Sequence, residues 1–315
     1  MNTRILGIAA TATATALMTS AAFAAPLGPL VTAPELDAAL QSDDAPLVLD
    51  IRGEAYDEGH IEGAVSAPYG LFRGPAENPG QLVPVDELET TYESLGLEPG
   101  EPVVIVAQGA TDTEFGAAAR VYWTLKSSGF TELSILNGGA QAWANAGLPV
   151  STEAVDPQPT ELSISWDDTW TADTEEVTAV VEGTGDAVLV DSRPEDFFLG
   201  KKAHGAAEKP GTLPGAVNYP YTRFFQSGAT AIGQVTDAAQ LRDALGLSGD
   251  EEVVSFCNTG HWAATNWFAL SELAKLEDVK LYPGSMVEYS KTGGEMANAP
   301  GLIRNLLNQF TGSNG

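Results

Sequence analysis

The chain holds a single cysteine, Cys257, in the stretch Glu251 to Leu270, "EEVVSFCNTGHWAATNWFAL". A short β-branched run ends on the thiol, a polar loop with a glycine follows, and a helical pattern begins. In a parallel α/β sheet, functional groups gather where loops leave the carboxyl ends of strands. Backbone N–H groups at the start of the next helix have no partner of their own and favour an anion, a thiolate included. The position therefore suits a nucleophile, although a free cysteine at a strand end is also a common inert core residue.

Other chemistry-bearing residues are sparse. His60, His204 and His261 are the only histidines; their spacing and the lack of further cysteines argue against a metal site. No phosphate-cradling glycine motif follows a strand, so no nucleotide cofactor is expected, and no other cofactor is indicated. His261, four residues past the thiol, could lend positive charge to an anionic substrate below pH ~6.5. Thiolate formation favours higher pH, so the two requirements together predict a bell-shaped dependence. Trp262 lies inside the loop and is expected to shape its mouth.

The elements that must position Cys257 occur twice. "APLVLDIRGEAYDEGHIEGAVSAPY", ending at Tyr69, is echoed by "DAVLVDSRPEDFFLG…GTLPGAVNYPY", ending at Tyr221. "EPVVIVAQGATDTEFGAAARVYW" is likewise echoed by the cysteine segment, without a cysteine and with a longer turn. Strands alternating with helices imply parallel sheets. Strands such as Val188-Leu189-Val190 lack polar alternation, as sheets covered on both faces require. The boundaries are placed at 28–150 and 165–310, joined by the Pro-rich "PVSTEAVDPQPTELSIS".

Residues 1–24 combine one early cation, a small apolar run and Ala22-Phe23-Ala24, the pattern of a secretory signal. A periplasmic or secreted location is expected, with no membrane anchor. A lone cysteine excludes an internal disulfide. The net charge of −28 disfavours binding to nucleic acid or anionic lipid. The few cations cluster between Arg193 and Arg223, with Lys201, Lys202, His204 and Lys209, and could form a local positive region.

The chain resembles the tandem-domain rhodanese sulfurtransferases. The marks are Asp50-x-Arg52, "GHIEGAV" (59–65), "ARVYW" (119–123), "LNGGAQAWANAGLPV" (136–150), "LVDSR" (189–193), "LPGAV" (213–217) and "YPGSMVEY" (282–289). The resemblance implies two rhodanese-like α/β domains, each a mostly parallel sheet with helices on both faces, the first inactive and the second catalytic. It implies a sulfurtransferase in which Cys257 takes a sulfane sulfur as a persulfide and passes it to a thiophilic acceptor, a thiol or cyanide-like nucleophile or a protein. Carried over by position, Arg193 matches an arginine near the active site, and Arg52 its structural counterpart. Asn258, Thr259, Gly260, His261 and Trp262 match the loop whose backbone N–H groups cradle the sulfur. Thiosulfate-using relatives place cations directly after the cysteine, and mercaptopyruvate-using relatives a small Gly/Ser loop. "CNTGHW" is neither, so thiosulfate, mercaptopyruvate and polysulfide all stay open as donors. No arginine follows Cys257 within the next thirty residues to grip a phosphate, which sets phosphatase chemistry aside. A sulfur carrier that delivers persulfide to a partner without turnover is the alternative to an enzyme.

Overall fold

The computed structural model describes residues 26–299 except 234, 236, 249 and 250. The expected signal segment, 1–24, and the end of the second domain beyond 299 lie outside the described residues. Among the described residues the repeated β-branched runs form nine strands: β1 (Leu30–Val31), β2 (Leu47–Asp50), β3 (Val65–Ser66), β4 (Val103–Val106), β5 (Leu133–Leu136), β6 (Ala187–Asp191), β7 (Val217–Asn218), β8 (Glu252–Phe256) and β9 (Val279–Leu281). They make two sheets, ordered β1-β5-β4-β2-β3 and β7-β6-β8-β9, and every paired strand runs parallel. The second sheet repeats the first without its edge strand, whose place is kept by a single parallel bridge from Thr171 to Leu281.

Burial on both faces explains the unbroken apolar runs. Successive strand residues point to opposite faces. Leu49, Val103 and Ile105 accordingly enter one core cluster, while Val48, Val104 and Val106 enter another. In the second half Val190 and Val253 face the first of these clusters, and Leu189, Val254 and Phe256 face a third. The cluster containing Leu49 and Val190 therefore runs through both domains. Its seam is the helix Phe115–Ser127 packed on the helix Trp262–Trp267 and the π-helical turn Phe268–Leu273 that continues it. Tyr122 meets the Phe268 ring edge-to-face at 5.0 Å, and Phe115 meets it at 5.5 Å. Lys126 pairs with the buried Glu272 at 3.1 Å across the same seam.

The proline-rich connection is docked against the first domain. Val155, Leu162, Ile164 and Trp166 pack on the shared core, and Ile164 N–H donates to the Glu89 carboxylate at 3.0 Å. A segment tied down by such contacts fixes the domains in one arrangement. Its polar composition in the sequence reflects the outward-facing half of its residues.

Candidate active site

Register locates the thiol within the repeat. Asp50 pairs with Val106 in the first sheet, and Asp191 with Phe256 in the second. The residues following those strand ends, Ala107 and Cys257, therefore occupy equivalent positions. A methyl group stands in the first domain where the second carries its sulfur. Both lie at the carboxyl ends of their strands. The hollow of about 610 Å³ at the opposite, amino ends of the first sheet's strands carries no comparable chemistry.

Cys257 is 1 % exposed and opens into a pocket of about 240 Å³, lined by Arg73, Thr113, His204, Asn258, Thr259, His261 and Trp262. Two of these residues come from the first domain, so the site is built between the domains. No carboxylate lines it, although the chain carries 43 Asp and Glu against 15 Lys and Arg. A bulkier hollow of about 540 Å³ lies beside it at the Ala107 turn, and Thr113 and His261 line both.

The loop is held by a residue the sequence reading passed over. The Ser285 hydroxyl accepts from the N–H groups of Cys257 (3.0 Å) and Gly260 (3.2 Å), and donates to the Tyr282 carbonyl (2.8 Å). Ser285 is fully buried, with φ at +50°, a strained conformation for a residue other than glycine. Its only sequence signal is its place in "YPGSMVEY". One N–H of the expected cradle, that of Gly260, is thus committed to Ser285, together with the N–H of Cys257 itself. Those of Asn258, Thr259, His261 and Trp262 have no protein acceptor among the described residues. Gly260 is buried beneath the loop rather than lining the pocket; its φ is +67°, and a Cβ there would stand 2.4 Å from the Arg120 guanidinium.

Arg193, expected to meet the substrate, is instead spent inside the fold. It is 2 % exposed and binds Asp191 through Nε (2.8 Å) and Nη2 (2.6 Å), the Gly211 carbonyl (2.8 Å) and Asn258 Oδ1 (3.2 Å). Arg52 makes the parallel set with Asp50 and Gln108 in the first domain. The repeated Asp-x-Arg is a strand-end clamp: the aspartate turns back onto the arginine, which then braces the loop of the neighbouring strand. Removing one partner of such a buried pair strands the other's charge, at a cost of about 3–5 kcal/mol. Arg193→Met should therefore lower stability by that order in denaturant titration, and any loss of activity should track the unfolded fraction.

The other cations expected near the site are also elsewhere. Lys201 and Lys202 stay exposed beside Asp196, and Arg223 lies over the Tyr219 ring. Only His204 of that cluster reaches the pocket, and burial and Arg73 hold its pKa below the ordinary histidine value. The site's cation comes from the first domain. Arg73 donates from Nη2 to the Thr259 carbonyl at 2.8 Å, and its buried Nη1 has no acceptor. The sequence gives little signal for Arg73, because it becomes part of the site only when the domains pack.

His261 is wedged between the domains as a neutral ring. Its Nε2–H donates to the Thr113 carbonyl at 2.7 Å and its Nδ1 accepts from the Tyr69 hydroxyl at 3.0 Å. Burial first, then the charge of Arg73, pulls its pKa down to about 4. The expected part-time cation is therefore absent across the neutral range, and the bell-shaped dependence loses its acidic cause. The unfolded chain takes up this proton near pH 6.5 and the folded chain only near 4, so stability should fall as pH drops through that window. The expected loss is up to about 3 kcal/mol, read by thermal unfolding against pH, and His261→Asn should flatten the slope. Trp262 stacks on Tyr221 at 5.3 Å, with the rings 8° from parallel, and donates to Thr113 Oγ1 at 2.6 Å. It walls the pocket mouth.

Both halves of the chain are similar to known proteins. The model of the Rhodanese-like domain matches residues 32–146 and again 173–292. A thiosulfate sulfurtransferase of Azotobacter vinelandii is 32% identical over 263 residues, covering 83% of this chain and 94% of that protein. A Mycolicibacterium smegmatis protein provisionally named for the same activity is 31% identical over 254 residues, covering 78% of this chain and 87% of its own. Among solved structures, the anaerobic ergothioneine biosynthesis enzyme of Chlorobium limicola, complexed with trimethyl histidine, superposes with a TM-score of 0.72 at 19% identity, covering 85% of this chain and 70% of that one. At that identity the likeness is one of fold. With both halves matched by one domain model, and relatives above 30% identity over most of their length, the chain belongs to the tandem-domain rhodanese sulfurtransferase family.

Proposed function

We propose that this sulfurtransferase takes its sulfur from thiosulfate or a sulfane donor of the same small, anionic kind, and that Cys257 carries it as a persulfide to a thiol or cyanide-like acceptor. The carrying observation is Arg73. Arg73 lines the same small pocket as Cys257, its buried Nη1 has no acceptor among the described residues, and no carboxylate lines that pocket. A cation in such a site attracts an anion that the net charge of −28 would otherwise repel.

The Cys257 thiolate attacks the outer sulfur of thiosulfate, forming the Sγ–S bond. The S–S bond of the donor breaks and its electron pair leaves with sulfite. The charge gathered on the departing group falls near Arg73 and the free loop N–H groups. The acceptor's thiolate, or cyanide, then attacks the terminal sulfur and the electron pair of the persulfide bond returns to Cys257. The cycle is redox-neutral overall and calls for no cofactor. At 1 % exposure, Cys257 admits only a donor that presents its sulfur on a narrow stalk, which favours thiosulfate over a bulky protein persulfide for the loading step. A thiol acceptor could equally belong to a protein with an extended cysteine-bearing segment.

Intact mass after parallel incubation with thiosulfate, mercaptopyruvate and polysulfide tests the assignment. Thiosulfate should add one sulfur atom, and cyanide should remove it. A mass unchanged by thiosulfate but raised by mercaptopyruvate would reassign the donor. Residues 1–24 are proposed to direct export to the periplasm or medium, and N-terminal sequencing of the exported protein should begin near Ala25.

A further inference from the structure

Arg120 is a buried charge that meets no carboxylate among the described residues. It projects from the helix Phe115–Ser127 of the first domain and is 1 % exposed. Its Nη2 donates to the Gly80 carbonyl at 3.0 Å, while Nε and Nη1 have no acceptor. The guanidinium rests 4.9 Å from the centre of the Trp123 ring, and no ion pair forms with it among the described residues. Burying an unpaired cation is costly, and such groups are kept where a charge meets them. Its surroundings point to that charge. Nη1 reaches so far beneath the cysteine loop that a Cβ on Gly260 would lie 2.4 Å from it, so the loop is shaped to admit it.

The groups that face this centre electrostatically are Arg73, Tyr69 and Cys257. Arg73 repels Arg120, and burial raises the Tyr69 pKa and so keeps its phenol neutral. His204 and His261 have lowered pKa values, and Arg193 is neutralised by Asp191. Cys257 is the one group of this set that must carry negative charge to react as a nucleophile. Burial pushes the Arg120 guanidinium down to about 9, which leaves it charged at neutral pH.

We propose that Arg120, reaching from the first domain beneath the loop of the second, is the counter-charge that holds the Cys257 sulfur in its anionic form. The domain that lacks a cysteine thereby activates the cysteine of its partner domain, which gives the tandem arrangement a chemical role. The inference rests on Cys257 as the nucleophile but is independent of which donor loads it. Arg120 is a positioning and charge-setting residue, behind the loop rather than in the pocket.

The experiment uses the full chain, with Arg120→Met and Arg120→Lys, and follows alkylation of the single thiol by uncharged iodoacetamide against pH. No sulfur donor takes part, so a wrong donor assignment would leave this readout intact. The Met variant should reach half-maximal rate about one pH unit higher than the parent and react roughly tenfold more slowly at neutral pH. The Lys variant should stay within about threefold of the parent. A parent-like profile in the Met variant overturns the proposal, as does a Lys variant impaired as much as Met. Should Arg120→Met fail to fold, thermal unfolding of the parent against Cys257→Ser decides. The parent should gain stability over the serine variant as pH rises and its sulfur ionises against Arg120. Parallel curves would overturn the pairing.

Discussion

Cys257→Ser is expected to take up no sulfur from any donor, with turnover to cyanide falling by at least ~10³-fold while the far-UV spectrum and oligomeric state stay unchanged. A serine hydroxyl is a far weaker nucleophile than a thiolate, and His261 cannot act as its base, because Nε2 is committed to the Thr113 carbonyl and Nδ1 to Tyr69. The chain has no second thiol to substitute, and Ala107 stands at the equivalent turn of the first domain. Intact mass after thiosulfate, together with colorimetric thiocyanate release, measures the effect. A serine variant that still gained a sulfur atom would move the chemistry off Cys257.

Arg73→Ala is expected to have the second largest effect. A hydrogen bond to a charged group contributes about 1.5–3 kcal/mol, so kcat/KM for thiosulfate should fall roughly 10- to 150-fold. Most of the loss should appear in KM if Arg73 holds the donor before reaction, and in kcat if its main partner is the departing sulfite. The same substitution removes the bond to the Thr259 carbonyl, which Arg73→Lys would partly replace while losing the second donor of the fork. Raising ionic strength should reduce the difference between parent and variant only modestly, because a half-buried contact is poorly screened. Lys201→Ala and Lys202→Ala are the control: both lysines are exposed and paired with Asp196, and kcat/KM should stay within about twofold. An Arg73→Ala protein with parent kinetics would remove Arg73 from the site.

Arg193 and Arg73 hold roles that the chain's motifs do not distinguish. Arg193 sits in a motif, "LVDSR", whose repetition in both halves marks it as important. Its partners show that the importance is mechanical, since four acceptors occupy four of its five donors. Arg73 belongs to no repeated motif, and it is the arginine that lines the pocket and keeps a donor without an acceptor. Repetition within a chain reports what both copies of a fold need. A residue used by only one of the two sites has no reason to recur.

The sequence by itself determined the duplicated α/β plan, the parallel pairing and the place of Cys257 at a strand-end turn. These follow from local signals: β-branched runs that must be buried on both faces, glycines at turns, and the order of elements along the chain. The contents of the second-domain loop were legible for the same reason, because Asn258, Thr259, His261 and Trp262 adjoin the cysteine and therefore share its pocket. Tertiary structure alone decided the electrostatics. Arg73 and Arg120 are far from Cys257 in sequence and come to it only because the helix Phe115–Ser127 packs on Trp262–Trp267. That same packing buries His261 and keeps it neutral, reversing the charge its residue type suggests. Local pattern follows from covalent neighbours, whereas ionisation follows from every charge and every desolvating atom within a few ångströms, and at a domain seam those belong to the other half of the chain.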